Sequence, residues 1–261
     1  MKELANHIAF AHRLADAAGA VIRPYFRKPI RVIDKGEGMY DPVTEADRRA
    51  EEAMRAIIKR ERPADGIMGE EHGTERGTSG LTWVIDPIDG TRAFITGQNQ
   101  WGTLIALNDG KKPVLGLLDQ PVLGERFVGT ERSTTFRSAE GERVLRARQC
   151  RELKNAALMT TNPWGYFTDG ELAAFQNLSK AAQLTRFGGD CYAYGLIAMG
   201  FIDLVVEARL APWDIQALIP IVEGAGGIVT DWEGGHVHEG GRVIAAGDKR
   251  VHAEAMKILA R

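Results

Sequence analysis

Nine residues, Trp83-Val84-Ile85-Asp86-Pro87-Ile88-Asp89-Gly90-Thr91, join strand-forming side chains to two carboxylates, a proline and a glycine. Trp83, Val84 and Ile85 suit a buried strand that delivers Asp86 at its end, and Pro87 fixes φ so that the next residues turn. Asp89 then faces the same volume as Asp86. Two carboxylates at one strand end repel each other unless a proton or a cation intervenes, and hard oxygen donors select Mg²⁺, or Mn²⁺, over softer metals. Gly90 lets backbone approach a ligand, and the Gly90 and Thr91 amides can meet an anion if the chain turns helical there. A cation and an anion in one place point to a phosphate. Against this, Asp-Pro and Asp-Gly pairs often do no more than shape a turn. Two further acidic stations, Glu70-Glu71 after Gly69 and Asp214 after Pro212-Trp213, favour the chemical reading.

Gly69-Glu70-Glu71, the Trp83-to-Thr91 segment and Trp213-Asp214 together resemble the hallmark motifs of the Mg²⁺-dependent inositol monophosphatase family, over nearly the whole chain. Gly188-Gly189-Asp190-Cys191-Tyr192-Ala193-Tyr194-Gly195 is similar to the histidinol-phosphatase branch. The resemblance implies an α+β, layered αβαβα sugar-phosphatase fold, commonly homodimeric. It implies that Glu70, Asp86, the Ile88 carbonyl, Asp89 and Asp214 hold two or three ions, a pair of them ~3.5–4 Å apart. The implied catalytic set is Glu70, Thr91 and Asp47, with Asp47 hydrogen-bonded to Thr91 so that the pair aligns the attacking water. Substrate contacts fall to Gly90, Thr91, Gly188, Gly189, Asp190 and Glu207, and Lys35 lies on a loop near the third metal position. Attack is in line, without a phosphoenzyme, since neither a suitable nucleophile nor a base triad is evident.

A carboxylate at Asp190 suits a cationic substrate, and histidinol phosphate carries an amine and an imidazole where inositol has no positive charge. Arg92-Ala93-Phe94 also departs from the Thr-Asn-Phe that inositol-specific members commonly carry. The expected reaction is hydrolysis of L-histidinol phosphate in histidine biosynthesis. Inositol 1-phosphate or another small sugar phosphate is the alternative, and a non-catalytic metal-binding partner protein is the reading from a different class.

The rest of the chain must position these groups. Its 261 residues, 44% hydrophobic and 26% charged, are ordinary for a globular enzyme. With 33 Lys and Arg against 35 Asp and Glu, no basic run marks a nucleic-acid or membrane surface, so the partner is a small phosphorylated metabolite. Cys150 and Cys191 are the only cysteines and have no metal-type spacing, and no signal-peptide core or run of eighteen apolar residues occurs. These features predict a cytoplasmic enzyme. Periodicity predicts helices over 4–26, 44–59, 170–182, 190–199, 213–222 and 249–260, with Thr44 and Asp47 at capping-box spacing and Asp190 as an N-cap. Strands are expected at 31–34, 83–85, 101–107, 114–118, 125–129, 134–137 and 144–146, mostly antiparallel. After a boundary near 149–154, dividing 1–150 from 151–261, further strands fall at 156–161, 184–187, 201–207, 228–230 and 243–246 in an α/β pattern. A flexible loop is expected over Lys35-Gly36-Glu37-Gly38, before Asp41. His7, His12, His72, His236 and His238 are read as non-ligands.

Overall fold

In the computed structural model, which describes residues 2–35 and 42–260, the amino-terminal amphipathic stretch forms α1 (Lys2–Ile22). It stops short of residue 26, ahead of Pro24, which cannot continue a helix. The expected loop residues Gly36, Glu37 and Gly38, and Asp41, lie outside the described residues. β1 (Val32–Asp34) and β2 (Pro42–Thr44) pair as an antiparallel ribbon. α2 (Glu45–Glu61) follows, opened by a reciprocal capping box between Thr44 and Asp47.

An eight-stranded sheet is then built from β3 (Gly66–Gly69), β4 (Gly73–Glu75), β5 (Thr82–Asp89), β6 (Gly102–Asn108), β7 (Pro113–Gln120), β8 (Glu125–Thr130), β9 (Thr134–Ser138) and β10 (Gly141–Val144). The spatial order is β10-β9-β8-β7-β6-β5-β3-β4, and only β3 and β5 run parallel. α3 (Thr91–Ile95) interrupts it after β5. β10 lies earlier than the expected 144–146, because the tight turn at Gly141 pairs Gly141 with Ser138 and brings the strand to its end at Val144.

The chain passes through residues 145–156 to β11 (Ala157–Thr160), α4 (Pro163–Tyr166), α5 (Asp169–Ala181), β12 (Leu184–Phe187), α6 (Asp190–Met199) and β13 (Leu204–Leu210). It ends with α7 (Pro212–Ile215), α8 (Leu218–Gly224), β14 (Ile228–Thr230), β15 (Gly241–Ala246) and α9 (Lys249–Leu259). The second sheet has the order β12-β11-β13-β15-β14, parallel at β11 and antiparallel beyond β13. The single helix expected over 213–222 is two, α7 and α8. Pro220 has no N–H to give the Gln216 carbonyl, so a continuous helix would lack that bond.

Alternation along the strands produces five layers. Trp83 and Ile85 of β5 pack against α1 and α2, whereas Val84 turns inward to α6 and α8. Val205 of β13 and Val243 and Ala245 of β15 face the same inner layer, while Leu204, Val206, Ile244 and Ala246 turn outward to α5 and α9. The order is therefore helices, sheet, helices, sheet, helices: the expected α+β αβαβα fold. No described helix is long and apolar enough to cross a membrane.

The inner layer depends on a glycine pair. Gly116 of β7 and Gly129 of β8 are cross-strand partners, and a Cβ would lie 1.9 Å from the Ala217 carbonyl oxygen at the first and 2.3 Å from the Ile221 nitrogen at the second. The backbone of α8 thus rests directly on the first sheet. Gly129→Ala is expected to cost about 3 kcal/mol, since backbone on both sides must shift. Gly170→Ala, at an open helical position, is expected to be neutral or slightly stabilising. Urea unfolding of the two variants checks this; equal midpoints would refute the close approach as a constraint.

Candidate active site

β5 is the element that brings the acidic residues together. Asp86 pairs with Leu104 and Asp89 with Gly102, so one extra residue sits on β5 between them. Residues three apart on a regular strand face opposite sides, and this bulge restores Asp89 to the face of Asp86. Pro87 is tolerated there because the bulged backbone does not need its N–H. The Pro87 carbonyl accepts from Thr103 Oγ1 at 2.8 Å, and the Ile88 amide donates to Asp86 Oδ1 at 3.0 Å. The chain continues as strand to Asp89 rather than turning at Pro87.

α7 supplies the third carboxylate. Pro212 occupies the first turn, and the Ala211 amide donates to Asp214 Oδ2 at 2.7 Å. Asp86, Asp89 and Asp214 each place a carboxylate oxygen within 4.8 Å of the others. Burial, together with Glu70, Asp89 and Asp214, raises the Asp86 carboxyl well above the usual range. Burial likewise lifts Asp89 to about 6, against the pull of the Cys191 amide, which donates to its Oδ2 at 2.7 Å.

Glu70 lies in the same cavity, at the turn after β3. Lys35 Nζ bridges Glu70 Oε1 at 2.9 Å and Glu71 Oε1 at 2.8 Å. Asp47 is both the closing residue of the α2 capping box and a neighbour of Thr91. Its Oδ2 accepts from the Thr44 amide at 2.9 Å, and its Oδ1 lies 3.4 Å from Thr91 Oγ1. The Ile88 carbonyl is the nearer acceptor for that hydroxyl, at 3.1 Å. Burial pushes Asp47 up to about 6 despite the Thr44 hydrogen bonds.

The residues expected to meet substrate come from three other elements. Gly90, at φ 89, precedes α3, and a Cβ there would lie 3.1 Å from Asp190 Cβ. Glu207 of β13 accepts from the Thr161 amide at 2.7 Å and its hydroxyl at 2.8 Å, and burial lifts it to about 7. Asp190 is not the N-cap of α6. Gly189 holds that position, and Asp190 is the first helical residue at φ 41, its amide donating to Thr161 Oγ1 at 3.1 Å. Burial, with Asp89 and Glu207, raises its carboxyl well above the usual range, opposed by Arg92. Gly188 (φ 73) and Gly189 shape this turn without lining the cavity.

Several residues of the site were not singled out from sequence. Glu51, fully buried on α2, accepts from the Glu71 amide at 2.7 Å and the His72 amide at 3.1 Å and is paired with Arg55. It fixes the Gly-Glu-Glu turn, and Gly69 is required because a Cβ would strike its carboxylate. Its presence on the buried stripe of α2, four residues before an arginine, was the available signal. Thr161 and Tyr166 carry no motif that marks them, and Tyr194 lies within the Gly188-to-Gly195 segment without a role assigned to it. Tyr166 receives a hydrogen bond from Arg92, whose guanidinium also lies over the ring.

Glu70, Asp86, Asp89, Asp190, Glu207 and Asp214 line a cavity of about 480 Å³ between the two sheets, with Asp47, Glu51 and Lys35 set behind its wall. The three-carboxylate set of Asp86, Asp89 and Asp214 offers clustered hard oxygen donors that could hold a metal ion, and their chemistry fits a divalent one. The sequence model of the inositol monophosphatase family matches residues 3–261, and the chain belongs to that family. The chain is 43% identical to "Bifunctional phosphatase IMPL2, chloroplastic" of Arabidopsis thaliana over 98% of its length and 76% of that protein's. It is 36% identical to a histidinol-phosphatase of Streptomyces coelicolor over 99% and 98%. Among solved structures, an inositol monophosphatase from Zymomonas mobilis superposes with a TM-score of 0.87 at 45% identity, covering 98% of each chain. The protein is thus a phosphoric monoester hydrolase of a metal-dependent family.

The raised carboxyls set a pH dependence. Their folded values exceed their unfolded ones, so the cation-free fold binds protons more tightly than the unfolded chain. Their contribution to stability is fully present below about pH 4 and is lost as pH rises through about 6 to 7. In chelator, Asp86→Asn is expected to melt a few degrees above wild type near pH 8, with the gap narrowing towards pH 5. Excess Mg²⁺ is expected to raise the wild-type melting temperature and not that of the variant. A gap that widens on acidification would contradict this account.

Proposed function

We propose that this phosphatase hydrolyses the phosphate monoester of a small cationic alcohol, L-histidinol phosphate, with Mg²⁺ as its usual ion and Mn²⁺ as a substitute. The observation that carries this reading is the pair of carboxylates Asp190 and Glu207 in the same cavity as Asp86, Asp89 and Asp214, where the Thr161 hydroxyl donates to the Glu207 carboxylate and accepts from the Asp190 amide. An arriving amine or imidazolium favours the charged form of both acids, whereas a neutral polyol gives them no opposite charge. Similarity to histidinol-phosphatases supports the same choice. A place in histidine biosynthesis, a cytoplasmic setting and a homodimer belong to this reading.

Glu70, Asp86, the Ile88 carbonyl, Asp89 and Asp214 would hold the divalent ions, whose charge would acidify water and neutralise the phosphate. The Thr91 hydroxyl has both the Ile88 carbonyl and Asp47 Oδ1 within reach as acceptors, and the productive arrangement is the one in which it donates to Asp47. Thr91 Oγ1 can then accept from water while Glu70 takes the other water hydrogen, and the two fix the line of attack. Lys35 holds Glu70 and Glu71 together at the rim. Gly90 brings its backbone to the phosphate, and Asp190 and Glu207 bind the alcohol at its cationic groups.

Phosphate release with Mg²⁺ is expected to show a kcat/KM for histidinol phosphate far above that for inositol 1-phosphate. Asp190→Asn, which keeps a side chain tolerant of positive φ, is expected to lower the first about tenfold to a hundredfold and leave the second nearly unchanged. A wild-type preference for inositol phosphate would overturn the substrate. Asp214→Asn is expected to abolish both activities while the protein stays folded; retention of most activity would remove Asp214 from the metal set.

A further inference from the structure

α2 buries three polar side chains in one stripe, Asp47, Glu51 and Arg55, each a turn from the next. A buried charge is costly unless its partners are fixed, and the last two both grip the turn from Gly69 to Gly73 that joins β3 to β4. Glu51 accepts from the Glu71 amide at 2.7 Å and the His72 amide at 3.1 Å. Arg55 donates from Nε to Glu51 at 2.7 Å, from Nη1 to Glu75 at 2.9 Å and from Nη2 to the Gly73 carbonyl. One helix therefore holds this turn by its amides and by its far carbonyl. Neither side chain lines the cavity, so neither meets a ligand there.

Glu70 stands in that turn, between glycines that give its backbone little stiffness of its own. Lys35 reaches the Glu70 carboxylate, whereas Glu51 holds the N–H of the peptide that joins Glu70 to Glu71. One turn earlier on α2, Asp47 Oδ1 lies 3.4 Å from Thr91 Oγ1. The same helix is thus tied to both groups read as aligning the attacking water. We propose that Glu51 is a positioning residue for Glu70, and that α2 sets the separation of Glu70 from Thr91. This rests on the reading of Glu70 as an ion ligand and water partner, and adds what keeps Glu70 in place. A shift of about 1 Å in such a group lowers a rate by about a hundredfold, and loss of a partner behind a metal ligand lowers metal affinity by about tenfold to a hundredfold.

The test is Glu51→Gln, which keeps the shape but replaces one oxygen by an NH₂ group that cannot accept from the Glu71 amide, the His72 amide or Arg55. The Mg²⁺ concentration that gives half the rise in melting temperature is expected to increase about tenfold, and kcat to fall about tenfold to a hundredfold with KM within about threefold. Leu178→Ala, which opens a cavity in the outer helical layer, also lowers the melting temperature and is expected to leave the Mg²⁺ half-point and kcat unchanged. In a Glu70→Gln background, Glu51→Gln is expected to move the Mg²⁺ half-point by less than about twofold, since its effect passes through Glu70. Unchanged values in Glu51→Gln, a full additional shift in the Glu70→Gln background, or equal losses in Leu178→Ala would overturn the inference. A Glu70→Gln variant with wild-type half-point and kcat would overturn the reading of Glu70, and the inference with it. Should Glu51→Gln not fold, Arg55→Lys, which keeps a charge beside Glu51 but gives up the fork to Glu75 and Gly73, takes its place in the same comparisons. Losses of about threefold in kcat and Mg²⁺ half-point are expected there, and no loss in either overturns the inference.

Discussion

One extra residue in β5 determines what this cavity can hold. Without the bulge between Asp86 and Asp89, strand geometry would send the two carboxylates to opposite faces of the sheet. With it, like charges converge in a buried volume and their repulsion becomes the constraint that neighbouring elements answer. Five of the carboxylates have one oxygen fixed by a backbone amide: Asp86 by Ile88, Asp89 by Cys191, Asp214 by Ala211, Asp47 by Thr44 and Glu207 by Thr161. Amide donors orient the acids without neutralising them. The remaining negative charge is what a divalent cation would answer here.

The amides come from both sheets and from the helices between them, so the site exists only if the layers close. Gly116 and Gly129 permit that closure by letting the backbone of α8 lie on β7 and β8. α7 directly precedes α8, and the contact therefore sets how deep Asp214 enters. On the other flank, Asp89 reaches the amide of Cys191 only because α6 is packed in the same layer, through Ala193, Tyr194 and Ile197. Core packing and ligand geometry are one arrangement, which is why both depend on small residues at fixed points.

Much of this was legible from local pattern. Alternation along β5, β13 and β15 gave the layers, and the spaced acidic motifs gave the residues that the cavity gathers. What escaped were features decided by pairing or packing far along the chain. The bulge depends on register with β6, so the sequence around Pro87 read as a turn. The break between α7 and α8 was marked by Pro220 but masked by strong apolar periodicity on both sides. Glu51 sits on a helix face that reads as core, and a polar atom on such a face acquires a role only through the partners it meets, here the Glu71 and His72 amides.

Asp190 carries the argument furthest, because both its backbone and its side chain are unusual here. A non-glycine residue at φ 41 costs about 1 to 3 kcal/mol, less for Asp than for a branched residue, and a glycine there would avoid it. Asp190 makes no capping bond in return. Its amide is held by Thr161, which also holds Glu207, and its Cβ packs where any side chain on Gly90 would stand. The turn ahead of α3 thus accommodates the Cβ of Asp190 closely because position 90 is glycine. The proposal of a cationic ligand rests on the side chain, because an opposite charge in the cavity would stabilise the charged form of a carboxyl that burial, Asp89 and Glu207 hold well above its usual range.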